Sequence, residues 1–362
     1  MKITAVDITE VVGRSSADRP HTALYVEVRT DDGPTGVFGP IQPAQGDVIR
    51  RSLAPFLVGR DPLAIEAIHH DMLSLDRHGR SGLFVTGISP VDCALWDLKG
   101  KVLGLPLWRI LGGPTRDRVP AYASMLGFSV EPAEAAAVAV EHAAAGYLAQ
   151  KWFFAHGPED GADGMARNVD LAVEVRAAVG PNYRLMFDAF NRWSADYAVV
   201  MVRKLAEVEP AWLEEPVPPE RIGALRRIRN AAPVPIATGE HVYTRWQVKS
   251  LLEAEALDVV QTDPDWCGGI TEQLKICALS SSFDIPVIAH GHSLLAALHI
   301  AGAMPASVVP EVEFLVKAQP FKQHFTTPYR EPREGMFELP TEPGLGLVID
   351  AEKVELTRNW SP

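Results

Sequence analysis

Between Ala121 and Leu315 short apolar runs recur, most with an acidic residue or a histidine at the far end, and this recurrence constrains the fold more than any other feature of the chain. Asp188, Glu214, Glu240, Asp263, His290 and Glu313 follow one another at intervals of 26, 26, 23, 27 and 23 residues. Each interval is about one strand–helix unit, and the segments between the runs are rich in alanine and charge, as the helices of repeated βα units are. The runs read as strands over Ala121–Leu126, Leu148–Phe154, Leu185–Ala189, Ala211–Glu215, Pro235–Glu240, Val259–Asp263, Val287–His290 and Val312–Leu315. Eight such strands close into a barrel, and barrel enzymes carry their catalytic groups at the C-terminal strand ends.

The flanks have a different rhythm. Ile3–Val12 and Ala23–Arg29 read as two strands followed by the turn residues Asp31-Asp32-Gly33-Pro34. From Asp47 to Leu111 apolar residues recur at helical spacing, as in Val91, Leu95, Trp96 and Leu98, until Gly112-Gly113 closes the run. The 362 residues therefore divide into an α+β module over 1–118, a barrel over 119–320 and a Pro- and Gly-rich segment, 321–362, expected to pack back on the first module.

Composition removes several classes of function. With 34 Lys+Arg against 46 Asp+Glu the formal net charge is −12, which repels a phosphate backbone, and no basic patch offsets it. No nucleic-acid partner is expected. Leu294–Val309, the longest apolar-looking stretch, is short for a membrane span and contains His299 and Pro305. Met1–Arg14 lacks a basic end followed by an apolar run, so no secretory signal is read there. Cys93, Cys267 and Cys277 are odd in number and lack metal-finger spacing, which suits a reducing cytoplasm. A homo-oligomer is expected of a fold of this kind, although no residue marks an interface.

Asp188, Glu214 and Glu240 end neighbouring strands, and three converging carboxylates repel one another unless a hard divalent cation lies between them. Mg²⁺ is the natural occupant; the alternative is that each carboxylate caps the helix that follows. Asp263 and His290 also end neighbouring strands, where a carboxylate can fix an imidazole's tautomer and make it a general base. His292 and His299 are read as structural. Lys151 ends the second strand and is placed to bind a substrate carboxylate, or else to make a salt bridge within the barrel. Glu313, on the last strand, can share a hydrogen bond with a carboxylate oxygen as charge develops.

These residues lie in strings that resemble the enolase superfamily, and within it the mandelate racemase group, over essentially the whole chain. The strings are Ile88-Ser89-Pro90-Val91-Asp92-Cys93-Ala94-Leu95-Trp96-Asp97-Leu98-Lys99-Gly100-Lys101 with Gly104-Leu105-Pro106-Leu107-Trp108, then Trp212-Leu213-Glu214-Glu215-Pro216, then Thr238-Gly239-Glu240-His241. The resemblance implies a modified (β/α)7β TIM-type barrel with an N-terminal α+β capping domain, Mg²⁺ held by Asp188, Glu214 and Glu240, and Glu215 in a supporting place. Within the group, Gln261-Thr262-Asp263-Pro264-Asp265-Trp266-Cys267-Gly268-Gly269-Ile270-Thr271 and Ala289-His290-Gly291 are similar to the L-rhamnonate dehydratases. That similarity implies Asp263 and His290 as the dyad, with Asp265 as the competitor for the carboxylate role, and His241 as a contact to a substrate hydroxyl.

Two departures shape the expected reaction. Racemases of the group carry a second lysine two residues after the first, where this chain has Phe153; Phe190 stands where some sugar-acid dehydratases place a leaving-group histidine. Racemisation needs an acid/base group on each face of the planar intermediate, whereas one base suffices for elimination. The expected activity is thus a Mg²⁺-dependent sugar-acid dehydratase giving a 2-keto-3-deoxy acid. The rival is an epimerase, racemase or lactone cycloisomerase, and a ligand-binding barrel without turnover is the non-enzymatic reading. Substrate choice is expected in loops 13–21 and 38–45 of the first module, with Arg19, His21 and Trp152 as further contacts.

Overall fold

Along the first strand Val6 and Ile8 turn one face toward the main core, and Val11 turns the opposite face toward Phe325 and Leu347. In the computed structural model, which describes residues 1–15 and 18–361, β1 (Ile3–Arg14) pairs antiparallel with β2 (Pro20–Thr30), and β2 with β3 (Gly36–Ile41). The buried helix Leu83–Leu103 lies against this sheet so closely that a Cβ on Gly36 would meet the Ala94 carbonyl oxygen at 2.1 Å. The far edge of the same sheet is completed by the C-terminal strand Leu356–Asn359, paired with β1.

The second sheet is parallel: β4 (Arg118–Ser124), β5 (Ala149–Phe153), β6 (Arg184–Asp188), β7 (Trp212–Glu214), β8 (Ile236–Thr238) and β9 (Val259–Val260) follow in sequence order, and β10 (Val312–Leu315) pairs back onto β4. This curled sheet with helices outside, bearing an α+β cap, is an α/β architecture of barrel type. The expected strand Val287–His290 is reduced to a single bridge, Val260 to Val287. Pro286 supplies a carbonyl but no N–H, and beyond His290 the chain turns at once into the short helix Gly291–Ser293. A side chain takes over the pairing on the other side: the Gly291 N–H donates to Glu313 Oε2 at 2.8 Å.

Inside the sheet the strands contribute one layer, Tyr122, Ala149, Met186, Trp212, Ala237, Val259 and Ile288, which plugs the lower half with apolar volume. The outward residues, such as Trp152, Phe187, Leu213, Ile236 and Val260, pack with the helices in the main core. After β10 the chain touches both halves of the molecule. Met336–Glu338 pairs with the lower end of β4 before the last strand reaches the cap, so this segment leans on the barrel as well as on the first module. Among the described residues no helix is long and apolar enough to cross a membrane.

Candidate active site

The position two residues beyond each member of the apolar layer points into the same barrel, one step nearer the C-terminal rim. That rule brings Lys151 up from Ala149, Asp188 from Met186, Glu214 from Trp212, Gln261 from Val259 and His290 from Ile288. A ring of polar side chains thus rests on an apolar plug.

Lys151 is the centre of one half of the ring. Its ammonium hydrogen-bonds Glu214 Oε1 and lies 3.0 Å from Glu313 Oε1 and 3.9 Å from Asp188 Oδ2. Burial alone would weaken the ammonium, but Glu214 and Glu313 outweigh it and hold the pKa well above the ordinary value. Asp188 is pushed the opposite way from a free carboxylate, well upward, first by burial and then by Glu214. Glu313 ends below its usual range, because Lys151 and His290 overcome the effect of burial. The second oxygen of Glu214 accepts from Gln261 Nε2 at 2.6 Å and Trp212 Nε1 at 3.0 Å, and Asp188 Oδ1 from the Phe190 N–H at 2.8 Å.

His290 commands the other half. Its Nδ1 is 3.2 Å from Asp263 Oδ2 and its Nε2 3.6 Å from Glu240 Oε1. Asp263, fully buried, also accepts from the N–H groups of Asp265, His292 and Ser293 and from Ser293 Oγ at 2.6 Å. With Nδ1–H donating to Asp263, Nε2 is the nitrogen left facing the cavity. Burial alone would lower the His290 pKa; Glu240, Asp263 and Glu313 reverse this and raise it to about 10, a protonated state that a cation taking up the Glu240 charge would relieve. Asp263, not Asp265, is therefore the carboxylate behind His290, while Asp265 Oδ2 faces His292 Nε2 at 3.0 Å.

The donors fit a hard divalent cation. Asp188 stands opposite Glu214 in the β6–β7 register, Glu240 follows at the next strand end, and all three offer oxygen. One ammonium serves Asp188, Glu214 and Glu313, so three carboxylates converge on a single positive charge. A tighter group exists beside them: among the described residues, ligand atoms of Glu215, Glu240 and His241 lie within 4.8 Å of one another. Glu215 is already engaged, accepting from His241 Nδ1 at 3.0 Å and from Asn191 Nδ2 at 2.5 Å. That hydrogen bond is also the first cause of the raised His241 pKa. The all-oxygen trio is the better match to magnesium, and Glu240 belongs to both sets.

The cavity they enclose is about 50 Å³, walled by Leu126, Phe153, Phe190 and Leu315 opposite the charged groups. A sugar acid is larger than this, so side chains or cap loops must move aside to admit one. A cavity of about 670 Å³ lies elsewhere, between the cap helix Ile65–Leu75 and the barrel helix Thr244–Glu253, without an acid/base constellation of this kind. The rim itself is strained: Phe190, Asn191 and Glu215 adopt φ of 53°, 59° and 44° without being glycine.

The remaining sequence candidates fall at varied distances from this centre. His241 is half-exposed at the rim. Trp152 lines the cavity, yet its indole is fully buried in the strand–helix core with Nε1 donating to Gln150 Oε1 at 3.1 Å. His21 is enclosed by the rings of Phe321, His324 and Phe325, and Arg19 is exposed. Ser16 and Ala17, within the expected specificity loop, lie outside the described residues. In the other loop, Gln45 reaches the main-chain oxygen and Oδ1 of Asp265. Gln261 and Ser293 escaped the sequence reading; inward parity with Asp263 was a signal that would have found Gln261.

Comparison with known proteins identifies the family of the chain. Residues 12–112 match the mandelate racemase / muconate lactonizing enzyme N-terminal domain, and residues 134–354 the enolase C-terminal domain-like family. The L-rhamnonate dehydratase of Saccharopolyspora erythraea is 34% identical over 348 residues, covering 93% of this chain and 85% of that protein. The D-galactarolactone cycloisomerase of Agrobacterium fabrum is 33% identical over 356 residues, covering 94% and 92%. Among solved structures, a racemase from Streptomyces coelicolor A3(2) with bound magnesium superposes with a TM-score of 0.83 at 27% identity, covering 97% of this chain and 98% of that one.

Proposed function

The chain belongs to the enolase superfamily, with the N- and C-terminal domains of the mandelate racemase / muconate lactonizing enzyme family, and from that premise we propose that it is a sugar-acid dehydratase. The substrate would be an aldonate or aldarate, and the product a 2-keto-3-deoxy acid. The observation that carries the reading is the one-sidedness of the cavity: His290 is the imidazole in its lining, and Phe153 occupies the strand end where a second base would stand.

His290 Nε2, with Asp263 behind the ring, takes the C2 proton. The same protonated nitrogen then returns a proton to the departing C3 hydroxyl, so one group on one face completes the elimination and no proton is lost from the balance. Lys151 and Glu313 flank the place where the substrate carboxylate would lie; the ammonium is the donor positioned to meet the charge that grows on it, one such donor being worth about 3–4 kcal/mol in related chemistry, and Glu313 would first have to take up a proton to donate beside it. Asp188, Glu214 and Glu240 would hold magnesium. The ion supplies Lewis acidity toward the carboxylate when bound. The Glu215–His241 pair at the rim is placed to contact a substrate hydroxyl.

The cycloisomerase of A. fabrum, at 33% identity, favours a second reading in which the same proton abstraction opens or shifts a lactone. A screen of aldonic acids, aldaric acids and their lactones with Mg²⁺ in D₂O separates the two. A keto acid appears for a dehydratase, and a C2-deuterated epimer or lactone isomer for the rival. In His290→Asn we expect turnover to be lost with magnesium affinity retained; near-native dehydration by that variant would end the assignment of the base.

A further inference from the structure

Two residues beyond Asp263 and two residues beyond His290 the same residue types recur, and the structure pairs them as well. Asp265 is fully buried, with Oδ2 3.0 Å from His292 Nε2 and Oδ1 accepting from Gln45 Nε2 of the cap at 3.2 Å. The other ring nitrogen of His292, Nδ1, is 2.5 Å from Lys322 Nζ, on the short helix Gln319–Lys322 that follows β10. Among the described residues this ammonium faces an imidazole where a buried lysine ordinarily finds a carboxylate. One indole covers both dyads: Trp266 lies 4.9 Å from the His290 ring and 4.7 Å from the His292 ring, and the two imidazoles are within 12° of parallel.

The chemistry of the second set is legible from its atoms. An ammonium donating to Nδ1 makes that nitrogen an acceptor and puts the ring proton of His292 on Nε2, the nitrogen 3.0 Å from Asp265 Oδ2, although the two are not aligned as a hydrogen bond. One proton is then shared along Nζ and Nδ1, and the set stays electrically neutral wherever that proton rests. Burial draws the Lys322 pKa down to about 8 against the pull of Asp265 and Asp263, so sharing is possible near neutral pH. The cavity beside Lys322, about 40 Å³, has Asp265 and His292 as its other titratable groups; the cap contributes Phe38, Gly39 and Pro40. The set also grips the catalytic dyad, because the His292 and Ser293 N–H groups and Ser293 Oγ all donate to Asp263.

We propose that Lys322, His292 and Asp265 form a second, proton-sharing relay that holds the loop donating to Asp263, which makes Lys322 a positioning residue for proton abstraction from outside the barrel strands. The proposal rests on His290 being the base. Its consequence is that the C-terminal segment and the cap, through Lys322 and Gln45, both set the geometry of the dyad.

The test uses the full-length protein with ¹⁵N-labelled histidine, and the variants Lys322→Met and Lys322→Arg. In the wild type the His292 ring nitrogens should show a neutral imidazole at pH 7. In Lys322→Met they should move to the imidazolium position, since Nδ1 loses its donor and the proton formerly shared with Nζ must rest on Nδ1 for buried Asp265 to keep a counter-charge, and Lys322→Arg should restore the neutral signature. With the substrate found by the screen, Lys322→Met should lower kcat about tenfold to a hundredfold with KM within about twofold, and Lys322→Arg should recover most of it. Unchanged ring signals, or an unchanged kcat, in Lys322→Met overturns the relay. If that variant does not fold, Asp265→Asn reads the same relay from its other end: the same fall in kcat is expected, and wild-type kcat overturns it. A wild type without turnover on any sugar acid would sink the functional reading, while the ring signals would still decide the relay.

Discussion

Lys151 carries more of the site's electrostatics than any other single side chain, because Glu214, Glu313 and Asp188 all look to one ammonium. Replacing it with methionine keeps the length of the stem and removes the charge. Removing one member of a buried ion pair leaves the other uncompensated, at a cost of about 3–5 kcal/mol. Lys151→Met should therefore unfold at lower urea in metal-free buffer by an amount in that range, and added Mg²⁺ should return part of the loss by giving the carboxylates a counter-charge. A loss below about 1 kcal/mol would mean that the carboxylates already hold protons and do not depend on the lysine. The charged members of this ring were legible because an ionisable group at the end of an apolar run is costly to bury and so stands out. Gln261 sits on an equally important inward position, but a neutral polar residue at a strand end costs less to bury and does not stand out in the same way, and Ser293 lies in the turn beyond the strand. Lys322 lies beyond the last βα unit, where the rhythm that located the others has stopped.

At the scale of elements, the helix Leu83–Leu103 explains why the string from Ile88 to Lys101 has the composition it has. Pro90 leaves the Thr86 carbonyl without its helical donor, and Gln45 Nε2 supplies one at 3.0 Å. Ser89 Oγ accepts from the Gly268 N–H, Asp92 from both the N–H and hydroxyl of Thr271, and Trp96 Nε1 donates to that same hydroxyl. Asp97 accepts from the N–H groups of Val37 and Leu345, each at 2.8 Å, and pairs with Lys101 at 2.6 Å. Gly100 leaves room for Gly344, whose Cα would lie 2.4 Å from any Cβ there. The helix is thus the joint at which cap sheet, barrel and C-terminal segment meet. Asp97→Ala strands two buried main-chain donors and an ammonium, and should cost about 3–5 kcal/mol in urea unfolding. Asp97→Asn, which keeps an acceptor, should cost clearly less; equal losses would refute the hydrogen-bonding account. Helical spacing made the element readable, but its partners stand far along the chain, so periodicity alone could not say why those polar residues are inside. The strand at Val287 shows the converse: its apolar run was legible, while its reduction to one bridge depends on how Pro286 and the turn at Gly291 sit against neighbours.

At the scale of the whole molecule, two neutral histidines fasten the parts together, and both make the assembly sensitive to acid. His299, within the barrel helix Leu294–Ala303, accepts from the Trp108 N–H at 3.1 Å and donates from Nε2 to the Leu345 carbonyl at 3.1 Å. His69, on a cap helix, bonds the Gly268 carbonyl at 2.9 Å. Burial lowers each pKa from 6.5 to about 4. Between those values the unfolded chain binds more protons than the folded one, so this contribution to stability is complete above pH 6.5 and falls as the pH drops toward 4. At ~1.4 kcal/mol per pH unit, each histidine should remove about 2 kcal/mol by pH 5 and about 3 kcal/mol once the folded form titrates. Urea unfolding at pH 7.5 and pH 5 measures the sum, and His299→Gln, which can still accept from Trp108 and donate to Leu345, should reduce the difference by about 2 kcal/mol. If the substitution leaves the pH dependence untouched, His299 is not its source; Asp263 and Glu313 at the rim are held below their ordinary range, lose their stabilising contribution only at still lower pH, and so cannot supply a loss between pH 7.5 and pH 5.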